Sequence, residues 1–286
     1  YNTAVGYTAG AAITTGTQNT IVGGLAGDAI TEGDYNVGVG VHAVGSTTTA
    51  DGNTAIGYNA MYPNTTGAHN TAVGRNALSA NTTASFNVAV GYNSLVANTT
   101  GTQNTAVGTQ ALDANTTASY NTAFGYRAVG ANITGVENVG VGVDALLLTT
   151  GSRNVGLGSY ALVANTSAND NTALGNYALM DNTTGALNTA VGASALENNT
   201  TADSNNAFGR RALYTNTTGA QNTALGYLAL YLSTTASFNT AIGVSSMQNN
   251  TTGANNVAVG YAALDASTTG AANTAVGKGS GGFITT

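Results

Sequence analysis

The sequence of 286 residues contains no cysteine, no tryptophan and a single proline, and only 6% of its residues are charged. Without cysteine the chain forms no disulfide and offers no thiolate as a metal ligand or nucleophile. This leaves the redox compartment open, because both cytosolic and secreted proteins can lack cysteine. The formal net charge is −6, and no basic run is present that could neutralise a phosphate backbone. We therefore expect no nucleic-acid partner.

Long apolar runs are also missing. No stretch approaches the roughly 20 apolar residues of a membrane-spanning helix, so we expect no membrane insertion. Disordered chains combine high net charge with few β-branched residues, whereas Val, Ile, Leu or Phe recur here at regular intervals. Asn, Thr, Ala and 39 Gly fill most other positions, which is typical of a repeat array. The chain opens at Tyr1, one residue before a repeat, and we expect it to be a fragment or a processed product.

The five-residue word Asn-Thr-Ala-Val-Gly, or a close variant, recurs 17 times. The step between copies is 17 residues, except for one step of 16 between Asn138 and Asn154, and we place the missing residue in the turn at 146–149. The consensus unit reads N-T-A-V-G-Y-x-A-L-x-x-N-T-T-G-x-x, and its positions are numbered 1 to 17 from the Asn. Position 1 is Asn and position 5 is Gly in every copy, which indicates a backbone requirement at both positions.

Each unit is predicted to form two short strands joined by turns. Thr-Ala-Val-Gly-Tyr alternates as a strand does, and Asn-Thr-Thr-Gly supplies a corner. Coils that close every 17 residues stack their strands in parallel, about 4.8 Å apart. The predicted fold is all-β: a parallel β-roll or β-solenoid of 17 coils, forming one repeat array over residues 1–286. Divergent coils occupy 1–52, regular coils 53–272 and an exit segment 273–286.

In such a stack every position becomes a ladder of like residues. The Asn ladder at position 1 is predicted to bond amide to amide along the axis and to satisfy backbone groups in the turns. The Gly ladder at position 5 is predicted to supply a positive φ or a close backbone approach where the strand ends. In the regular coils the members of these structural ladders are Asn53, Gly57, Asn70, Gly74, Asn87, Gly91, Asn104, Gly108, Asn121 and Gly125.

Positions 3 and 4 of the strand point to opposite faces, and both are apolar. If the small Ala at position 3 faces the interior, the Val, Ile, Leu or Phe at position 4 needs a sister chain to cover it. The reverse orientation would permit a monomeric solenoid, and the sequence leaves both orientations open. Burial of the larger row favours an oligomer.

A second period of 34 residues is superposed, because position 15 mostly alternates Gly and Ala and the Ala coils often carry Ser and then an aromatic residue. One interpretation is that alternation relieves crowding between large rings in a ladder. The other is that exposed aromatic residues form a strip that stacks on sugars. The candidate glycan-contact residues are Tyr58, Phe86, Tyr92, Tyr120, Tyr126, Tyr227, Phe238 and Tyr261.

The repeated words at 53–57, 70–74 and 222–226, followed by Ala-Leu and Asn-Thr-Thr-Gly, resemble the head repeats of YadA-like trimeric autotransporter adhesins and related repeats of phage tail fibres. The resemblance covers nearly the whole chain. It implies a left-handed parallel β-roll, a homotrimer, and a virion or cell-surface location where the chain holds or presents a receptor-binding surface. The coil is longer than in the adhesins, and no neck, stalk or anchor appears, so we expect the phage-fibre form.

Catalysis and metal binding have little support in the sequence. The two histidines, His42 and His69, lie at variable positions, and acids do not recur in every repeat. We therefore expect no enzyme activity, no cofactor and no recurring metal site. Asn-x-Thr/Ser words at position 12 match the glycosylation pattern, but a repeated turn generates them automatically. Two rival functions are a self-polymerising extracellular filament and an ice-binding solenoid that presents Thr rows from positions 13 and 14.

Overall fold

A computed structural model describes residues 1–284, so Thr285 and Thr286, the last two residues of the predicted exit segment, lie outside the described residues. The chain divides into two compact units, Tyr1–Gly140 and Val141–Thr286. Within residues 1–284 no helix occurs, and hence none that is long and apolar enough to cross a membrane. The strands are β1 (Thr3–Val5), β2 (Thr20–Val22), β3 (Val37–Val39), β4 (Thr54–Ile56), β5 (Thr71–Val73), β6 (Val88–Val90), β7 (Thr105–Val107), β8 (Thr122–Phe124), β9 (Val139–Val141), β10 (Val155–Leu157), β11 (Thr172–Leu174), β12 (Thr189–Val191), β13 (Asn206–Phe208), β14 (Thr223–Leu225), β15 (Thr240–Ile242), β16 (Val257–Val259) and β17 (Thr274–Val276).

Each strand covers positions 2 to 4 of one coil, and consecutive strands within each compact unit pair in parallel at the same positions. In the first unit β1 to β8 pair in chain order, as in Thr54 opposite Thr71 and Ala55 opposite Ala72. In the second unit β10 to β17 do the same. The parallel β-solenoid with a 17-residue repeat is therefore confirmed.

The second strand expected in each coil is absent from the described residues, and the backbone dihedrals explain why. Positions 7, 9 and 17 hold left-handed residues that are mostly not glycine, such as Asn76 (φ 57°), Leu78 (φ 54°) and Phe86 (φ 62°). Such residues break an extended chain and cost roughly 1–2 kcal/mol each. They are held by bonds to adjacent coils, since the Leu78 N–H donates to Ser94 O at 3.0 Å and the Asn76 N–H to Tyr58 O at 3.0 Å.

Burial decides which strand face lies inside. Positions 1, 3, 8, 9, 12 and 15 point into the coil, whereas positions 4, 6, 14 and 17 point outward. In β5 the central Ala72 is fully buried while Val73 stays half-exposed. The interior is filled by Ala from the strand and by Ala-Leu from the following turn, as at Ala77 and Leu78. Of the two orientations left open by the sequence, the structure has Ala inside and the larger residue outside.

The 16-residue coil keeps the turn in which we expected its deletion. Thr149 N–H still donates to Leu146 O at 3.3 Å, as the position 12 residue does in other coils. The chain is shortened one step later, where Thr150 N–H and Gly151 N–H both donate to Thr166 O. The predicted location at 146–149 was wrong, because the corner beyond Thr149, not the turn, accommodates the missing residue.

Candidate binding surfaces

The Asn ladder at position 1 bonds mainly to the backbone. Asn87 Oδ1 accepts from the Asn104 N–H at 2.9 Å, and Asn87 Nδ2 donates to Gly101 O at 2.9 Å. Each side chain thus links the corner of its own coil to the backbone of the next coil. Direct amide-to-amide contacts occur only at some steps, such as Asn70 Nδ2 to Asn53 Oδ1 at 3.2 Å. The predicted role in satisfying turn backbone is found, whereas the amide-to-amide pattern is secondary here.

The regular amide-to-amide ladder lies instead at position 12. Asn115 Nδ2 donates to Asn98 Oδ1 at 2.9 Å, and Asn98 Nδ2 donates to Asn81 Oδ1 at 3.2 Å. The same Asn98 amide also donates to Gly101 O at 2.9 Å. These Asn residues are the ones in the Asn-x-Thr/Ser words, and they are fully buried. The folded chain therefore does not present them for glycosylation.

The Gly ladder at position 5 has the backbone geometry that the sequence predicts. Gly57 has φ of 137°, and a Cβ built there would lie 2.6 Å from Gly74 O in the next coil. Both a conformation that side chains rarely adopt and a close approach of two backbones thus require glycine. The positive φ recurs at position 5 of every coil, from Gly6 to Gly277, which explains the invariance of this position.

The 34-residue period has a structural cause at position 15. A Cβ on Gly101 would contact Ala118 O and lie 2.5 Å from Asn98 Oδ1. In that Gly coil the Thr100 N–H also donates to Thr116 O at 3.3 Å, so the corner is drawn tightly against the next one. Alternation of Gly and Ala therefore relieves crowding between corners, whereas the interpretation that it relieves crowding between large rings stays a prediction.

The outward row at position 4 carries no charge. Position 4 presents Val, Ile, Leu or Phe, and Phe124 is 55% exposed. Of the two Thr rows, the hydroxyl at position 13 donates to the next coil, as from Thr65 to Thr82 O at 3.0 Å, whereas position 14 is exposed, as at Thr66. Among the outward rows, position 4 is an aliphatic and aromatic face directly on the parallel sheet.

The eight candidate glycan-contact residues form two rows and not one strip. Tyr58, Tyr92 and Tyr126 in the first unit, with Tyr227 and Tyr261 in the second, stand at position 6, two residues after the strand. The others stand at position 17, two residues before it. These are Phe86, Tyr120 and Phe238. All eight side chains are exposed, so both rows remain candidates for contact with a ligand.

The position 6 row also carries cations. The Arg75 guanidinium lies 5.9 Å from the Tyr58 ring centre and 5.8 Å from that of Tyr92. In the second unit Arg210 lies 6.0 Å from Tyr227, and Lys278 5.8 Å from Tyr261. At position 7, Arg127 lies over Tyr126 and Arg211 over Tyr214, which stands at position 10. We call positions 6 and 7 together the tyrosine–cation row.

Charge is sorted by coil position. Five of the six bases lie in the tyrosine–cation row, and the sixth, Arg153, stands at position 17. Of the 12 acids only Asp144 belongs to that row, since the rest occupy positions 10, 11, 14, 16 and 17. Linear reading of the sequence showed scattered charges and missed this sorting. Aligning the charges by unit position would have revealed it.

The acids serve mainly the corners. Arg153 binds Asp170 in the next coil through Nε at 2.6 Å and a second nitrogen at 2.9 Å, and this hydrogen bonding lowers the pKa of Asp170. Burial raises the pKa of Asp181, and the charge of Glu197 raises it further. Burial likewise raises the pKa of Asp113, against a smaller lowering effect of its hydrogen bonds and Arg127.

The histidines take part in ring contacts. His42 packs edge-on against Tyr62 with ring centres 5.1 Å apart, and His69 stacks on Phe86 at 5.3 Å. No group of three or more His, Asp or Glu side chains that could hold a metal ion occurs within residues 1–284. Neither unit contains a pocket in its described part.

No protein-family model matches the sequence, and no curated protein matches it significantly. The class of the protein follows from its fold alone: it is a β-solenoid repeat protein with a parallel sheet and a 17-residue coil.

Proposed function

We propose that this chain is a structural segment of a phage tail fibre or a similar extracellular adhesive appendage, without enzyme activity. The observation that carries the proposal is the difference between the inward positions and the variable positions of each coil. The inward positions repeat the same Asn, Ala, Leu and Gly residues and are bonded from coil to coil, whereas sequence variation is concentrated at positions 6, 7, 10, 16 and 17, which are mostly exposed or half-buried. Such a chain provides a regular scaffold on which an outer surface can vary.

We further propose that the scaffold is a homotrimer whose chains meet through the position 4 row. Val, Ile, Leu and Phe there project from the parallel sheet and are exposed or half-buried, so each side chain can gain part of the roughly 1.5–3 kcal/mol that full burial contributes. Large uncovered apolar surfaces in soluble proteins usually mark interaction sites. The resemblance to trimeric fibre repeats supports the same arrangement.

Because the chain has no cysteine, single cysteines can report which face is covered. Val90→Cys places a thiol in the position 4 row, and Thr100→Cys places one at exposed position 14. Under mild oxidation we expect chain-to-chain disulfides with the first variant and few with the second. Equal cross-linking of both variants, or none with Val90→Cys, would contradict association through position 4.

A further inference from the structure

We infer that the tyrosine–cation row binds a linear anionic glycan, a polymer of carboxylate-bearing sugars lying along the coil stack. This inference rests on the proposed role of the outer surface in attachment. In both units the row combines exposed tyrosine rings with cations, and in the first unit it reads Tyr58, Arg75, Tyr92, Thr109 and Tyr126 at successive position 6 sites.

The spacing of the rings suits a repeating ligand. Tyr58, Tyr92 and Tyr126 recur at every second coil, which corresponds to roughly 9.6 Å for two strand separations. That distance is close to the length of a disaccharide in an extended glycan. The apolar faces of alternate sugars can therefore pack against successive tyrosine rings, as sugars do on exposed aromatic residues. Between the rings, Thr109 is short and leaves space beside Tyr92 and Tyr126.

The charges select the sign of the ligand. The chain is acidic overall, yet five of its six bases lie in this row and 11 of its 12 acids lie outside it. Arg75 lies between two rings, which orient its planar guanidinium while the side chain stays exposed to a ligand. An oriented guanidinium binds a carboxylate through two parallel hydrogen bonds. A neutral glycan would leave these cations unused.

A glycan fits these observations better than a second copy of the chain does. A second copy of the chain would have to fit each residue of the row with a side chain at a fixed position. The row, however, changes from coil to coil, from Tyr to Arg, Thr, Val or Lys. The exposed tyrosines of the row offer ring faces and hydroxyls together, which suits sugar rings with their own hydroxyl groups. We therefore assign the row to the glycan and the position 4 row to the sister chains.

The test uses the whole chain and three probes of equal length: a polygalacturonate, a neutral linear polyglucose and polyglutamate. Calorimetry measures affinity, and tyrosine fluorescence reports ring contact, since no tryptophan is present. We expect the polyuronate to bind, the other two to bind at least tenfold more weakly, and added salt to weaken binding. Polyglutamate binding as tightly as the polyuronate would overturn the inference, because charge alone would then suffice. No polyuronate binding would also overturn it.

Matched variants locate the site. Arg75→Gln is expected to weaken polyuronate binding by about tenfold or more, as loss of hydrogen bonds to charged groups does. Arg153→Gln, which removes the same charge outside the row, should change the affinity less than twofold. Arg75→Lys keeps the charge but loses the paired hydrogen bonds of the guanidinium, so it should weaken polyuronate binding less than Arg75→Gln does. Equal losses with Arg153→Gln and with the row variant would overturn the assignment.

Tyrosine variants separate stacking from charge. Tyr92→Ser should weaken binding severalfold, whereas Phe86→Ser in the position 17 row should not.

The mass of each variant in sedimentation distinguishes this inference from the proposed assembly. A trimer that does not bind polyuronate refutes only the glycan site, and a monomer that binds it refutes only the trimer. Dissociation of the trimer by the row variants with unchanged polyuronate affinity would assign the row to the sister chain and overturn the inference.

Discussion

Asn53 and Asn64 donate their side-chain amides to the same acceptor, the carbonyl oxygen of Gly67, at 2.9 and 2.8 Å. The two residues come from different corners of one coil, and each also bonds to a neighbouring coil. A single buried carbonyl therefore joins both ladders. The two amides and this carbonyl thus satisfy hydrogen-bonding groups inside the coil, and the first two predictions test these bonds.

Removal of a ladder amide should destabilise the fold. Asn98→Ala leaves Asn81 Oδ1 without its buried donor and removes one hydrogen bond each from Gly101 O and the Asn115 amide. We expect a loss of about 1–3 kcal/mol in the free energy of unfolding, because buried polar groups become unsatisfied. Thr100→Ala at exposed position 14 is the matched control and should stay within about 0.5 kcal/mol. Urea denaturation measures both, and similar losses in the two variants would contradict the ladder's role.

One interruption of the ladder can be repaired. Ser233 occupies position 12, where its Oγ and the neighbouring Asn216 Oδ1 are buried without a hydrogen-bond partner in the described structure. Ser233→Asn should place an amide donor against Asn216 Oδ1, as Asn216 itself does toward Asn199 at 2.9 Å. We expect a gain of about 1 kcal/mol in stability. A destabilised variant in thermal and urea unfolding would show that the coil does not accept Asn at this point.

Position 5 should accept no residue larger than glycine. Gly57→Ala combines a φ of 137° with a Cβ placed 2.6 Å from Gly74 O, and we expect a loss of about 3 kcal/mol or failure to fold. Gly24→Ala is the control, because a Cβ there meets nothing within 4 Å and its φ is not positive. Unfolding midpoints of the two variants measure the difference. Equal stability would refute the close approach.

Replacing each of two aspartates by Asn should change the stability of the chain in opposite directions at neutral pH. The pKa of Asp181 is raised in the fold, so its charged form is disfavoured and its contribution to stability falls as pH rises through that pKa. Asp181→Asn should therefore stabilise the chain at neutral pH, with the gain vanishing in acid. The pKa of Asp170 is lowered by Arg153, so Asp170→Asn should lose stability at neutral pH and lose less as pH falls through that pKa. Unfolding midpoints against pH measure both, and shifts of the same sign would contradict the assignment.

Sequence periodicity predicted most of the fold. The register of Asn and Gly in every unit determined the coil length, the parallel pairing and the ladder at Gly57. It could not predict that Leu78 adopts a left-handed conformation, because propensity favours ordinary geometry for leucine and only bonds to the next coil override it. The missing second strand follows from the same override.

The outer surface was harder to predict. Whether Ala72 or Val73 lies inside depends on how the whole coil closes, which alternation alone does not determine. The aromatic residues were correctly expected to be exposed, but Phe86 and Tyr92 were grouped although they stand at opposite ends of the strand. The cations beside Tyr58 and Tyr92 were missed because Arg75 is isolated in the linear sequence and meets the rings only through stacking.

The mass of the native chain in solution tests the proposed fibre segment most directly. Sedimentation equilibrium over a wide range of concentration should give a constant mass of three chains, each of 28.1 kDa. A constant mass of one chain would contradict the proposed trimer and leave the position 4 row uncovered. A mass that grows continuously with concentration would contradict it in the other direction and indicate a self-polymerising filament.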